Sequence, residues 1–300
     1  MKKVLLIGST GLVGSRVKEL LGKKFQFITP DENELNLLDL KGLTSFIDKH
    51  KLDAIVNFAA YTNVGEAENQ TGDKEALCWQ VNVEGVKNLL KSITKDTHLI
   101  HISTDMVFPG SVEDPGPYKE DHPLPNSPNK LTWYGWTKNR GEDLVRKAGY
   151  TVVRIIYPVR SSFERPDYIR FPLRKLKDNS LYPIFKDQQL SIAFVDELAQ
   201  ALSDIISKGL NNDTFHVCSS NTGTAFNIIK TVFKKLNLNT QQVKSALLAE
   251  YLQKQKNPYR YPLRGGLDVR LTEKKLNLKF STWQEIIGKL IKQGLTLENA

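Results

Sequence analysis

Short apolar runs alternate along the first half of the chain with stretches in which apolar positions recur every three or four residues. Val4 to Ile7, Phe25 to Thr29, Ala54 to Ala59, His98 to Ser103 and Thr151 to Ile156 are runs of the first kind. Leu12 to Leu21, Leu40 to His50, about Ala76 to Ser92 and about Tyr134 to Lys147 are of the second. The first pattern marks strands covered on both faces, the second marks helices with one buried face. Strands alternating with helices predict parallel βαβ units, hence an α/β fold with a doubly wound parallel sheet.

After Ile156 the pattern loosens. Residues Tyr157 to Leu190 include Pro158, Pro166, Pro172 and Pro183 and many charges. Helical patterning returns over Val195 to Ile206, one more strand is expected at Thr214 to Val217, and Trp283 to Lys292 reads as a final amphipathic helix. The stretch Asn257 to Gly266, rich in Pro, Arg and Gly, reads as a functional loop. The expected organisation is a sheet domain over 1–157, rejoined by 190–218. A smaller, partly interleaved C-terminal part comprises 158–189 and 219–300.

Composition narrows the classes. A chain of 300 residues, 40% hydrophobic and 25% charged, is an ordinary globular protein with room for a full core. It has no apolar run of about 18 residues, so no membrane span is expected. The run after Met1-Lys2-Lys3 is too short for a secretory signal. Cys78 and Cys218 lie far apart, without metal or redox spacing, which fits a reducing cytoplasm and predicts no metal site. The net charge of +9 reads mainly as lysines on solvated helix faces, such as Lys234-Lys235 and Lys274-Lys275. No basic stripe with interleaved aromatics is present, so a nucleic-acid partner is not expected.

The first strand runs straight into Gly8-Ser9-Thr10-Gly11-Leu12-Val13-Gly14, and a helix follows. Glycines there let the backbone turn sharply and approach a pyrophosphate, which the helix N-terminus then attracts. The spacing is Gly-x-x-Gly-x-x-Gly. Placed at the first strand of a βαβ series, it points to a Rossmann-type domain that binds NAD or NADP, with a smaller substrate domain following. Asp31, near the end of the second strand, is the candidate partner of a ribose 2′-hydroxyl, with Asp39 as the next acidic residue. No Arg or Lys adjoins Asp31, which leans to NAD. The alternative places Asp31 in a solvated turn with Pro30, Glu32 and Asn33.

Tyr134 and Lys138 stand at i and i+4 on one helix face. A phenol donates a proton poorly near neutrality, and a neighbouring ammonium lowers its pKa, so the pair forms a candidate proton relay. The same spacing recurs at Tyr182 and Lys186, in an extended, Pro-containing segment. The neighbourhood distinguishes the first pair. Ser103-Thr104-Asp105 ends a strand, at the sheet edge where α/β proteins bind ligands, and a hydroxyl there can hold a carbonyl. Helix capping or a turn bond is the alternative for Ser103 and Thr104.

Together, Gly8 to Gly14, Asn57-Phe58-Ala59-Ala60, Asn82-Val83-Glu84-Gly85, Ser103-Thr104-Asp105 and Tyr134-x-x-x-Lys138 resemble the extended short-chain dehydrogenases. The stretches Ala54 to Thr62, Ile102 to Gly110 and Tyr134 to Lys138 resemble the dTDP-4-dehydrorhamnose reductase family in particular. The resemblance implies reduction of a 4-keto sugar on a nucleotide diphosphate by NADH or NADPH, often by a homodimer and sometimes with Mg²⁺. It implies Tyr134 as general acid, Lys138 on the nicotinamide ribose and lowering the Tyr134 pKa, and Thr104 on the carbonyl oxygen. It also implies a cofactor lined by Thr10, Leu12, Val13, Phe58, Ala59, Ala60, Thr62 and Ser103, with Asp39-Leu40 at the adenine and Asn82 steadying the helix behind. Substrate contacts would come from Thr104, Asp105, Met106, Val107 and Tyr157. Met106 stands where the family usually has Tyr, and Ile156-Tyr157-Pro158-Val159 replaces a Trp-containing stretch. A nucleotide-sugar epimerase or dehydratase is the related alternative, although Asp105 is not followed by the acid that dehydration would want. A non-catalytic dinucleotide-binding regulatory subunit is the third.

Overall fold

A computed structural model describes residues 1–300. The central sheet is built from β1 (Lys3–Ile7), β2 (Gln26–Ile28), β3 (Ala54–Asn57), β4 (His98–Thr104), β5 (Thr151–Ile155) and β6 (Thr214–Val217). Their spatial order is β6-β5-β4-β3-β1-β2. β1 pairs in parallel with β2 and with β3, and β3 pairs in parallel with β4. The order reverses at β1, so the chain is wound in two directions from that strand, as in a Rossmann-type α/β fold.

Helices α1 (Leu12–Leu21), α2 (Leu40–His50), α3 (Gly85–Ser92) and α4 (Trp133–Lys147) follow the strands. Leu5, Ile7, Ile55 and Leu99 of the strands pack with Leu43 and Ile47 of α2 and Leu89 of α3 in one buried cluster. Val86, Val145 and Val152 form another, joining α3, α4 and β5. α2 is capped by Asp39, whose carboxylate accepts from the Gly42 N–H at 3.1 Å. The expected helix over Ala76 to Ser92 is interrupted. A turn at Leu77–Trp79 passes into a π-helical segment, Gln80–Glu84, before α3 begins.

The chain forms two compact units, one of Met1–Phe108, Pro123–Arg154 and Ala199–Phe215, the other of Pro109–His122, Ile155–Leu198 and His216–Ala300. These bounds differ from the expected 1–157 with 190–218. The segment Pro109–His122 belongs to the second unit because its backbone is tied there. The Gly116 N–H donates to the Arg264 carbonyl at 2.7 Å, and Tyr118 bridges Leu267. The returning segment starts later than expected, at Ala199, and is tied into the first unit by polar bonds. Lys2 donates to the Ile206 carbonyl at 2.6 Å, and the Thr151 hydroxyl to that of Leu210 at 2.6 Å.

The second unit holds the short ladders Gly223–Thr224 with Gln189–Leu190, Ser245–Ala246 with Ile184–Phe185, and Pro158–Val159 with Ala193–Phe194. Its helices include Arg170–Lys177 and Ala225–Lys235, neither expected from the sequence. Pro172 is the third residue of the first of these, where the missing N–H has no intrahelical partner to lose. Tyr182 and Lys186 flank the extended pair Ile184–Phe185.

The first unit contains a fully buried ion pair. Glu142 of α4 receives the Arg154 guanidinium of β5, with Nε 3.1 and 3.2 Å from its two carboxylate oxygens. The Ser103 hydroxyl donates to the same carboxylate at 2.7 Å. Removing one partner strands the other charge in the core. Glu142→Gln is therefore expected to destabilise the protein by about 3–5 kcal/mol in denaturant titration. A loss below about 1 kcal/mol would contradict the pair's structural role.

Candidate active site

The turn after β1 is fixed by two of its glycines. Gly8 has φ +81°, and a Cβ there would stand 2.9 Å from the Ala59 nitrogen, because the chain leaving β3 passes against it. The Phe58 N–H donates to the Ile7 carbonyl at 2.9 Å at this crossing. A Cβ on Gly14 would stand 2.4 Å from the Gly8 carbonyl oxygen. Gly11 differs. A Cβ there would come no closer than 3.5 Å to any neighbour, yet it is the N-cap of α1, with no side-chain cap. Internal packing thus demands glycine at 8 and 14 and leaves room above Gly11. That room is what close approach of a pyrophosphate requires, so these residues fit a dinucleotide.

Other expected cofactor residues fall in different surroundings. Thr10 and Thr62 are exposed, Val13, Phe58, Ala59 and Ala60 are half-buried, and Leu12 points into the core. Leu40 is exposed at the start of α2. Asp31 lies three residues beyond β2. Its carboxylate accepts the N–H groups of Asn33 and Glu34 at 2.8 and 3.0 Å, so it organises a turn. Asn82 is buried and acts as a brace. Its oxygen accepts from the Tyr61 N–H at 2.9 Å, and its nitrogen donates to the Tyr61 carbonyl at 3.2 Å and to the Thr137 hydroxyl at 3.0 Å. The π-helical turn places it there, between the loop after β3 and helix α4. Ser103 is buried with its hydroxyl given to Glu142, so its polar atom serves the ion pair.

Helix α4 carries Tyr134 and Lys138, and its first turn is pinned. The Thr132 hydroxyl accepts from the Gly135 N–H at 2.9 Å, and Glu68 accepts from the Trp133 N–H at 2.6 Å. Gly135 and Gly141 let the helix come close. A Cβ on either would stand 2.2 Å from a backbone oxygen, of Met106 and Asn82 respectively. Tyr134, only 8% exposed, stands near the Thr104 hydroxyl at the end of β4, close enough for that hydroxyl to affect its pKa. Thr104 in turn donates to Asp105 at 3.1 Å and accepts from the Met106 N–H at 3.2 Å. Val107 is wholly buried and offers a ligand no side-chain surface, whereas Met106 is half-buried beside Tyr134. Tyr157 lies in the second unit, with φ +40° and its ring 4.3 Å from that of Tyr168.

The electrostatics differ from the simple expectation for a phenol beside an ammonium. Burial pushes the Tyr134 phenol above its ordinary value, and the nearby Asp105 and Cys78 push the same way, against a smaller opposing effect from Thr104. Lys138 is turned instead toward β4. It donates to the Ile102 carbonyl at 2.8 Å, and its nitrogen lies 3.3 Å from His101 Nε2. Burial lowers its pKa to about 8, against the pull of Glu142. Asp105 is buried too, and desolvation raises its pKa to about 7. The site therefore holds a protonated phenol, a hydroxyl, and a carboxyl and an amine that both titrate close to neutrality.

A model of the RmlD substrate binding domain matches residues 1–296. The chain belongs to this family. Among curated relatives, this RmlD-family chain is 27% identical over 307 residues to a dTDP-4-dehydrorhamnose reductase of Aggregatibacter actinomycetemcomitans, covering 97% of the chain and 98% of that protein. It is 30% identical over 205 residues to a Streptomyces griseus protein of the same name, covering 66% of the chain and 63% of that protein. Its fold matches a Bacillus anthracis dTDP-4-dehydrorhamnose reductase solved in complex with NADP, with TM-score 0.84 and 21% identity over 97% of this chain and 99% of that one. A dTDP-glucose 4,6-dehydratase from the same organism, solved with NAD, shares the fold at TM-score 0.73 and 16% identity, over 98% and 97% of the two chains. No helix is long and apolar enough to cross a membrane. No group of three or more His, Cys, Asp and Glu side chains is arranged to hold a metal ion.

Asp105 gives this site a pH signature. A carboxyl with a raised folded-state pKa binds its proton more tightly folded than unfolded. Its stabilising contribution is full below the ordinary value of 3.8 and is lost as pH rises through about 7. Asp105→Asn, which cannot ionise, is expected to match the wild type in denaturant titrations near pH 4 and to exceed it by a few kcal/mol at pH 8. Two stability curves that run parallel across this range would contradict the assignment.

Proposed function

We propose that this chain reduces the keto group of a nucleotide-activated hexose with NADPH or NADH, in the manner of dTDP-4-dehydrorhamnose reductase. The reading rests on the placement of Tyr134 near Thr104 at the end of β4, in the same unit as the glycine turn. Family membership and the names of the curated relatives supply the substrate class. A bound dihydronicotinamide would supply the hydride. The chain's own groups handle the oxygen. Thr104 turns its hydroxyl proton from Asp105 to the carbonyl, and Tyr134 passes its phenolic proton to the oxygen as negative charge develops there. A buried phenol with a raised pKa stays protonated across the neutral range, so the acid is loaded whenever substrate arrives. Gly11 leaves space for the pyrophosphate, and Asn82 holds the loop after β3 to the helix that carries the acid.

One observation favours a second reading. Asp105 is a carboxyl beside Thr104 with a pKa near 7, the kind of acid that sugar dehydration employs. It lacks an acidic neighbour, since Met106 follows, so reduction is the better reading.

A panel of 4-keto nucleotide sugars, offered with NADH and with NADPH, tests the proposal by loss of reduced-cofactor absorbance. Tyr134→Phe is expected to lower kcat by about a thousandfold, within the usual range for a lost general acid, while cofactor Kd stays within about threefold. Wild-type turnover in this variant would overturn the assigned acid. A dehydrated product with no net cofactor consumption would select the second reading.

A further inference from the structure

Two buried polar side chains of the first unit, Asn57 and His101, have no part in the reaction just described, yet they lie in line with Lys138. Asn57, the last residue of β3, is fully buried, and His101, in the middle of β4, is 1% exposed. The orientation of the Asn57 amide is set by the backbone. Its oxygen accepts from the Ala59 N–H at 3.1 Å, so its nitrogen is the atom that faces His101 Nδ1, at 3.3 Å. An amide nitrogen only donates, so His101 Nδ1 must offer its lone pair. Burial, with Lys138 nearby, holds the His101 pKa well below 6.5, and the ring is neutral. A neutral imidazole that accepts at Nδ1 keeps its proton on Nε2, the atom 3.3 Å from the Lys138 nitrogen.

That arrangement has a consequence for the lysine. An ammonium at position 138 would set its own N–H against the Nε2–H of His101, two donors with no acceptor between them. A neutral amine accepts from Nε2–H through its lone pair and still donates to the Ile102 carbonyl, at 2.8 Å. Asn57 cannot turn over to relieve the conflict without abandoning the Ala59 N–H.

We infer that His101, held as the Nε2–H tautomer by Asn57, is a positioning residue that donates to Lys138 and favours its amine over its ammonium. Desolvation acts in the same direction. The other groups that face Lys138 do not cancel the effect. Glu142, one turn along α4, attracts the ammonium but is itself bound by Arg154 and Ser103. Cys78, from the Leu77–Trp79 turn, is a thiol whose pKa burial has raised, so it stays neutral. Tyr134, one turn earlier on α4, is a protonated phenol.

On the reductase reading, this gives the lysine a use in both protonation states. After Tyr134 has given its proton to the sugar oxygen, a Lys138 N–H bond breaks and the proton, relayed by water, re-forms the phenol O–H bond, because the lysine nitrogen is turned toward Ile102 and His101. The amine left behind is the form His101 stabilises, and water returns its proton. A lysine locked as ammonium would give up that proton reluctantly.

The test reads protonation directly, on the whole protein without substrate. Histidine ¹⁵N shifts, with the His101 signals identified by their loss in His101→Phe, are expected to show Nε2 protonated and Nδ1 bare, unchanged from pH 5 to pH 8. The Lys138 ¹³Cε signal, identified with Lys138→Met, is expected to titrate with a midpoint near 8. Asn57→Asp reverses the polarity. A carboxylate accepts from Nδ1–H, Nε2 turns a lone pair to the lysine, and the Lys138 midpoint is expected to rise by about one pH unit. Because a carboxylate also attracts the ammonium directly, the ring decides: His101 in this variant is expected as the Nδ1–H tautomer, and a ring that stays Nε2–H, or an unchanged Lys138 midpoint, would overturn the inference. So would an Nδ1–H ring in the wild type, a measurement that stands even where the variant does not fold. Because neither reading uses turnover, an Nε2–H ring in a protein that reduces no keto sugar would fault the proposed reaction and leave this inference intact.

Discussion

A helix normally meets a sheet through aliphatic side chains, but α4 meets β4 through polar ones. Along its buried face run Tyr134, Thr137, Lys138 and Glu142, and only Val145 continues the apolar pattern beyond them. Three of them have hydrogen-bond partners, Asn82 for Thr137, the Ile102 carbonyl for Lys138, and Arg154 with Ser103 for Glu142, and Tyr134 stands beside Thr104. Buried polar groups are costly when unpaired and specify geometry when paired. The seam therefore fixes the height and rotation of α4 against β4, and with them the point where the phenol stands near the Thr104 hydroxyl. Gly135 and Gly141 are the steric side of the same constraint, since larger residues would hold the helix away.

The same seam accounts for the electrostatics. Placing Tyr134, Lys138, Asp105 and His101 out of water disfavours the charged form of each. Phenol and carboxyl pKa values move up, and those of the amine and the imidazole move down. The Asp105 carboxyl and the Lys138 amine thereby come to titrate close to neutrality, whereas the Tyr134 phenol moves further from it. Burial and nearby acidic groups, rather than a fixed positive charge, dominate the surroundings of Tyr134.

Much of the fold could be read from periodicity. The helices Leu12–Leu21, Leu40–His50 and Trp283–Lys292 match the sequence reading residue for residue, because each has a continuous apolar stripe and clear punctuation. The second unit was harder to read. Its strands are two residues long, and Pro172 masks a helix. The transfer of Pro109–His122 rests on long-range pairing with Arg264 and Leu267, which no local pattern encodes. At the site, Tyr134, Lys138 and Thr104 could be named from spacing and from their place at strand and helix ends. The roles of Ser103 and Asp31 could not, because a hydroxyl or carboxylate serves a turn, an ion pair or a ligand equally well until its neighbours are known. His101 and Asn57 passed as strand residues. Two histidines within a seven-residue buried strand, His98 and His101, were the available signal.

On the proposed reading, hydride reaches a sugar carbonyl carbon while the protein supplies the proton. Reduced cofactor carrying deuterium at the transferable C4 position, incubated with the wild-type chain and a 4-keto nucleotide sugar, tests it most directly. One deuterium is expected on the former carbonyl carbon of the product, with the hydroxyl proton drawn from solvent. Product formed without deuterium at that carbon would contradict it.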